Sequence, residues 1–136
     1  MGLEEFASLC SAPWNPAWAA DLDAELRSVS IYPDVVETLR ALRSKGYRLA
    51  LISNLAQPYV PTVRSLLGPL VDVESYSCQV GAAKPRPKIF AAMCAQLDLA
   101  PNEILVVGDS LRSDVEGGSP VRNAVGSPAA RRPTGP

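Results

Sequence analysis

Apolar residues recur along this chain with two different spacings, one typical of helices and one of buried strands. Pro33 suits the first turn of a helix, and the residues after it place Val and Leu at helical spacing up to Gly46. The stretch that follows, YRLALIS, is mostly apolar without alternation, as in a strand buried on both faces. A helix leading into a buried strand is therefore predicted over residues 33–53.

The same alternation of helix and strand continues to residue 108. Four further elements are predicted: a helix ending at Gly68, the strand VDVESYS, the helix KIFAAMCAQLDL and the strand ILVVG. The loop GAAKPRP, which contains two prolines, separates the second strand from the last helix. This order indicates an α/β protein with a mainly parallel sheet.

The two ends of the chain lack this pattern. Residues 1–30 are weakly patterned, with a turn at APWNPAW and a short helix predicted over 19–29. The last 18 residues, 119–136, include four prolines and show no period, so we expect no strand and no fixed structure there. Three parts are expected: a helical segment over 1–30, an α/β core over 31–118 and a disordered tail over 119–136.

Composition narrows the classes of function. The net charge of −1 predicts binding neither to nucleic acid nor to an anionic membrane, and no apolar run is long enough to span a bilayer. The N-terminus, MGLEEFASLC, is acidic where a signal peptide would be basic, so we expect a cytoplasmic protein. Three scattered cysteines and no histidine predict reduced thiols without a zinc site, and they exclude Ser-His-Asp and Cys-His mechanisms.

Polar side chains stand where the predicted strands end. Ser53 and Asn54 end the first strand, Lys84 follows the second, and Asp109 ends the third, with Asp114 five residues further on. Ligands of parallel sheets bind at the carboxyl ends of the strands. Carboxylates can hold Mg²⁺, an ammonium group offsets phosphate charge, and a hydroxyl donates to a phosphate oxygen. Together these residues favour a magnesium-assisted phosphate site.

Taken singly, each of these residues has an ordinary structural explanation. Asp109 could form a turn or cap a helix, and Ser53 could cap the helix after its strand. Lys84 and Asp114 could be solvated surface residues. Only the joint pattern at three successive strand ends points to chemistry.

Three stretches resemble the haloacid dehalogenase superfamily in its phosphatase-like branch: YPDVVETLRALRSKGYRLALISN, GAAKPRPKIF and ILVVGDSLRSDVEGG. The resemblance covers roughly residues 31–118. It implies a Rossmann-like parallel sheet in a three-layer α/β/α arrangement. It also implies Mg²⁺-dependent hydrolysis of a small phosphorylated metabolite through an aspartyl-phosphate.

The resemblance also implies a role for each site residue. Ser53 would bind the transferring phosphoryl group, with Asn54 beside it. Lys84 would stabilise the phosphorylated intermediate, and Asp109 and Asp114 would hold Mg²⁺.

One motif of the family is not found. It is a strand ending in Asp-x-Asp, whose first aspartate is the nucleophile. The weak candidate is Asp21, followed by Asp23, but WNPAWAA before it is not a buried strand and a helix fits better. Residues 1–30 more closely resemble the end of a helical cap. In the family, the Asp-x-Asp strand lies at the centre of the sheet, between the second-motif and fourth-motif strands, so we expect a sheet without its central first strand. Because residues 119–136 show no strand pattern, we also expect its last strand to be missing.

Three functions stay open at this point. The chain could be a phosphatase-type hydrolase by family that is inactive for lack of the nucleophile. It could instead be a non-catalytic remnant that binds phosphate, Mg²⁺ or a protein. It could also be a truncated chain that self-associates through unpaired strand edges. Substrate choice in this family rests largely on the cap, so the substrate is not predicted.

Overall fold

The computed structural model describes residues 3–116 and 122–124, which fall in two compact units, Met1–Tyr32 and Pro33–Pro136. Within those described ranges, no helix is both long and apolar enough to cross a membrane.

The first unit is helical. Helix α1 covers Leu3–Leu9 and α2 covers Ala17–Ser28. Between them Asn15 accepts a hydrogen bond from the Ala17 N–H at 3.0 Å, which satisfies one of the first donors of α2. The rings of Trp14 and Trp18 pack edge to face, with centroids 6.0 Å apart. The helix predicted from the sequence over 19–29 is confirmed.

The second unit alternates helices and strands. Its helices are α3 (Pro33–Ser44), α4 (Val60–Leu67), the single turn α5 (Ser77–Val80) and α6 (Pro87–Leu97). Its strands are β1 (Ala50–Ser53), β2 (Val73–Tyr76), β3 (Leu105–Val107) and β4 (Arg122–Ala124). A π-helical turn spans Leu111–Glu116, and 3₁₀ turns span Gln57–Tyr59, Gly68–Leu70 and Pro101–Glu103.

The strands form two parallel pairs. β1 pairs with β2, with Ala50 opposite Val73, and β3 pairs with β4, with Leu105 opposite Arg122. Among the described residues, β1 and β3 are not hydrogen-bonded to each other, so the sheet is divided into two halves. The predicted α/β class with an incomplete, Rossmann-like parallel sheet is confirmed.

One helix covers both halves of the sheet. The buried face of α6 consists of the residues whose spacing predicted it: Ile89, Phe90, Met93, Cys94 and Leu97. Val106 of β3 and Ile104, directly before β3, pack against this face, and so do Ala50, Ile52 and Val73 from β1 and β2. Both halves of the sheet therefore contribute to one apolar cluster on α6.

The start of β1 is fixed by a carboxylate. Asp72 accepts a hydrogen bond from the Leu49 N–H at 2.7 Å and forms an ion pair with Arg43 of α3 at 3.0 Å. The hydrogen bond from Leu49, followed by the charge of Arg43, holds the pKa of Asp72 below its usual value. This contact joins α3, β1 and the entry to β2.

The expectation for the C-terminal tail needs one correction. We predicted no strand after residue 118, but Arg122–Ala124 forms β4 and pairs in parallel with β3. The pairing is made by backbone groups and needs no alternating apolar side chains. These three residues therefore show no pattern from which a strand could be predicted. The rest of the predicted tail, 119–121 and 125–136, lies outside the described residues.

Candidate functional site

The residues that follow β1 are joined to the loop before α6. The side-chain amide of Asn54 makes two hydrogen bonds to the backbone of Lys84. Its Oδ1 accepts from the Lys84 N–H at 2.6 Å, and its Nδ2 donates to the Lys84 carbonyl at 3.0 Å. The carboxyl end of β1 is thereby linked to a residue 30 positions further along the chain.

A second two-point contact lies beside the first. The hydroxyl of Ser77, directly after β2, accepts from the Leu55 N–H at 3.0 Å and donates to the Leu55 carbonyl at 3.3 Å. The chain therefore leaves β1 with both Asn54 and Leu55 held by contacts to later segments. Such contacts replace water at backbone groups that no strand partner satisfies.

The ammonium group of Lys84 reaches the segment after β3. Its Nζ lies 2.6 Å from Asp114 Oδ1, and the two side chains are only 16% and 4% exposed. At this burial the ion pair is little screened by solvent, and loss of either partner would leave a poorly solvated charge. The pair ties the loop before α6 to the turn after β3.

Asp114 also organises its own turn. Its second carboxylate oxygen, Oδ2, accepts from the Ser110 N–H at 3.0 Å, and its own N–H donates to the Ser110 carbonyl at 2.8 Å. The Ser113 N–H donates to Ser110 Oγ at 3.2 Å. Both carboxylate oxygens of Asp114 are therefore engaged within the protein.

Gly108 makes room for this carboxylate. A Cβ atom at position 108 would lie 2.2 Å from Asp114 Oδ2 and 2.4 Å from its Cγ. No side chain fits at such distances without moving Asp114. The glycine in VVGD is thus explained by the close approach of Asp114 rather than by a positive backbone φ angle.

The predicted site residues fall into three groups. Asn54, Lys84 and Asp114 are joined by hydrogen bonds and an ion pair. Ser53 ends β1 and is half-buried, and Asp109 follows Gly108 after β3 and is exposed. These two share the carboxyl-end side of their strands with the joined residues. Asp21, the weak nucleophile candidate, is exposed on helix α2 of the first unit rather than at a strand end.

The sequence reasoning missed two contributors. Ser77 and Ser110 act through backbone contacts, one after β2 and one directly after Asp109. Each is a serine within a turn after a predicted strand, which is the available signal, but serine is common in such turns. Only the folded chain shows which backbone group each one meets.

Comparison with known proteins identifies the family. A family model for haloacid dehalogenase-like hydrolases matches residues 10–121, which is most of the chain. The chain belongs to the haloacid dehalogenase-like hydrolase family. The resemblance drawn from the strand-end motifs is therefore confirmed.

Similar proteins within this family include several phosphatases. A glyceraldehyde 3-phosphate phosphatase of Methanopyrus kandleri is 34% identical over 97 residues, covering 70% of this chain and 42% of that protein. A ribulose-1,5-bisphosphate 5-phosphatase of Halopiger xanaduensis is 34% identical over 105 residues, covering 76% and 42%. The chain thus spans about two fifths of the length of these relatives.

Solved structures agree with this assignment. The crystal structure of a HAD phosphatase from Thermococcus onnurineus matches with a TM-score of 0.69 at 29% identity. That match covers 90% of this chain and 57% of the other. The two-part sheet on α6 is therefore similar to part of a family phosphatase.

Proposed function

We propose that this haloacid dehalogenase-like chain carries the phosphate- and cation-binding part of a phosphomonoester hydrolase site and hydrolyses little or no substrate by itself. The observation that carries the proposal is the buried Lys84–Asp114 pair, which Asn54 links to the end of β1. In a family of hydrolases with phosphatase members, a lysine held at the strand ends suits an anionic phosphoryl group.

The phosphate part of the site comes from two side chains. Ser53 offers a hydroxyl at the end of β1 and is half-buried. Lys84 offers two further ammonium N–H donors beyond the one directed at Asp114. A phosphoryl group between them would accept hydrogen bonds from both and offset the lysine charge.

The residues present also fit a divalent cation. Mg²⁺ is held in proteins by one or two carboxylates together with waters and substrate phosphate. Asp109 is an exposed carboxylate directly after β3, whereas both oxygens of Asp114 are already engaged. Asp109 would therefore be the direct ligand, and Asp114 would act from the outer shell. When bound, Mg²⁺ would offset the negative charge of the phosphoryl group.

Three or more acidic, cysteine or histidine side chains do not meet at a metal-binding geometry anywhere in residues 3–116 and 122–124. This agrees with a cation held mainly by water and phosphate oxygens, with one protein carboxylate. It does not suit a site that binds metal tightly without substrate.

The full hydrolysis needs a nucleophile as well. An aspartate would attack phosphorus, the ester oxygen would leave with a proton as the alcohol, and water would release inorganic phosphate from the aspartyl-phosphate. Asp21 is the weak candidate for this aspartate, and its place on helix α2 speaks against it. We therefore propose that residues 1–30 correspond to part of a helical cap and that no described residue of this chain is placed to act as the nucleophile.

The alternative is a non-catalytic module that binds phosphate, Mg²⁺ or a protein. Asn54 and Asp109 are exposed to water, which favours reversible anion binding over catalysis that excludes solvent. Where the ligand is a phosphate compound, its class is a small phosphorylated metabolite.

An assay of p-nitrophenyl phosphate hydrolysis with Mg²⁺ tests the proposal. We expect no rate above background for the folded chain, while ³¹P NMR shows inorganic phosphate binding that weakens at least about tenfold in Lys84→Ala. Asp98→Asn, at the exposed end of α6, is the control variant. Robust turnover that is lost in both Asp21→Asn and Asp109→Asn would overturn the inactive assignment. Absence of phosphate binding would overturn the phosphate site.

A further inference from the structure

Asn54 uses its whole side-chain amide on one residue. The oxygen accepts from the Lys84 N–H and the nitrogen donates to the Lys84 carbonyl, so a closed ring of two hydrogen bonds forms. The amide therefore satisfies both backbone polar groups of Lys84. An amide can do this because it carries an acceptor oxygen and a donor nitrogen in one plane, as the Ser77 hydroxyl does for Leu55 with a single atom.

Few other backbone hydrogen bonds hold the segment around Lys84 among the described residues. Residues 81–86 connect α5 to α6, and the hydrogen bonds that flank Lys84 are those of Gly81 to Ser77 and of Arg86 to Ala83. Pro85 follows Lys84 and has no N–H to offer. Within the described residues, Asn54 is the recorded hydrogen-bonding partner of the Lys84 backbone.

Fixing the backbone of Lys84 matters because its ammonium group must reach Asp114. A lysine side chain has four rotatable bonds, and holding it in one conformation costs entropy. Asn54 holds its base and Asp114 holds its tip. The resulting series, Asn54 to Lys84 to Asp114 to Ser110, crosses from the β1 half of the sheet to the β3 half. It joins the two halves at the site, where no backbone pairing between β1 and β3 is seen among the described residues.

We infer that Asn54 is a positioning residue for Lys84 and not a ligand of the phosphoryl group. The statement that Asn54 is not a phosphate ligand rests on the proposed phosphate site, whereas its positioning of Lys84 rests on the two hydrogen bonds. For Asn54 to contact phosphate, it would have to release at least one of its two bonds to Lys84. The hydroxyl of the neighbouring Ser53 makes no such pair of hydrogen bonds within the described residues. It remains the proposed donor to the phosphoryl group.

Hydrogen exchange measured by NMR on ¹⁵N-labelled full-length chain tests this role. In the unaltered protein, the Asn54 side-chain NH₂ and the Lys84 backbone N–H should exchange at least about tenfold more slowly than the side-chain NH₂ of exposed Asn102. In Asn54→Ala, the Lys84 N–H should lose this protection. Exchange of the Asn54 amide as fast as that of Asn102 in the unaltered protein would overturn the inference without any variant.

The NMR signal of the Lys84 ammonium group shows whether Asn54 positions the Lys84 side chain or only stabilises the loop around it. A lysine ammonium held in a buried ion pair gives an observable ¹⁵N–¹H correlation, whereas a solvated one exchanges too fast. Asn54→Ala should abolish this signal although Lys84 and Asp114 are both present. Ser77→Ala removes the neighbouring two-point contact and should leave the signal in place. Survival of the signal in Asn54→Ala, or its loss in both variants, would contradict a specific positioning role.

A second variant and a phosphate titration complete the NMR test of Asn54. If Asn54→Ala does not fold, Asn54→Asp retains the acceptor for the Lys84 N–H but loses the donor to the carbonyl, so the ammonium signal should weaken. Titration with inorganic phosphate and Mg²⁺ should shift Ser53 and Lys84 signals while Asn54 keeps its slow exchange. Phosphate that speeds exchange of the Asn54 amide would make it a phosphate ligand. Failure of phosphate to bind would overturn the proposed function and leave the positioning role intact.

Discussion

Gly108 and Asp114 form a contact that can be tested by adding one methyl group. In Gly108→Ala the new Cβ would overlap the Asp114 carboxylate, so the ion pair with Lys84 must shift. We expect a loss of about 1–3 kcal/mol in the free energy of unfolding, as for other overpacked sites. Urea unfolding followed by circular dichroism measures it.

A double-mutant cycle isolates the cause. In an Asp114→Ala background the carboxylate is gone, so Gly108→Ala should cost much less than it does in the unaltered chain. Equal cost in both backgrounds would show that backbone strain at position 108 is responsible instead.

At the scale of residues, three of the predicted site residues, Asn54, Lys84 and Asp114, are in contact, but the sequence did not predict the atoms through which they meet. Lys84 and Asp114 were recognised from their positions after strands, and the structure joins them directly. The hydrogen bonds from the Asn54 side chain to the Lys84 backbone were not predicted, and neither was the contact between Ser77 and Leu55. Such contacts depend on where two loops meet, and loop conformation has no sequence period.

Asp72 connects three elements and should make their stability depend on pH. Its pKa is lowered in the folded chain, first by the hydrogen bond from Leu49 and then by Arg43. The stabilisation is therefore complete above the unfolded value, near 3.8, and is lost as the pH falls below it through the lower folded value. Acid should loosen the attachment of α3 to the start of β1.

The variant Asp72→Asn measures this contribution. It loses the ion pair with Arg43, and because the carboxylate is about one-third exposed we expect a cost of roughly 1 kcal/mol at pH 7. The difference from the unaltered chain should shrink at pH 2.5, because Asp72 gains protons as the pH falls toward its lowered folded pKa. Urea midpoints at the two pH values give the result, with Asp98→Asn as control. A difference that is equal at both pH values would assign the effect to packing.

At the scale of elements, periodicity predicted helices better than strand pairing. The helix KIFAAMCAQLDL was predicted, and five of its apolar residues form the buried face of α6. Helix α3 and strands β1 and β2 also lie where their patterns placed them. The strands are shorter than their apolar runs, because only four residues of β1 and β2 and three of β3 and β4 are paired. β4 was missed because its three residues depend on the backbone of β3 rather than on a pattern of their own.

At the scale of the whole molecule, the two halves of the sheet leave strand edges open within the described residues. β1 is paired on one side only, and so is β3. Leu105 and Val107 of β3 are 57% and 68% exposed, although their neighbour Val106 is buried against α6. A strand with a free edge and an apolar outer face can be completed by another chain. We therefore propose self-association through this region.

Light scattering after size-exclusion chromatography tests that proposal over about 10 μM to 1 mM chain. We expect the measured mass to rise above the 14.4 kDa of one chain as the concentration increases. Leu105→Thr together with Val107→Thr keeps residues that suit a strand but removes the apolar face, so it should return the mass to 14.4 kDa. Tyr47→Thr, at an exposed aromatic residue outside the strands, should leave association unchanged. A mass of one chain at every concentration would show that the open edges of β1 and β3 are tolerated in a monomer.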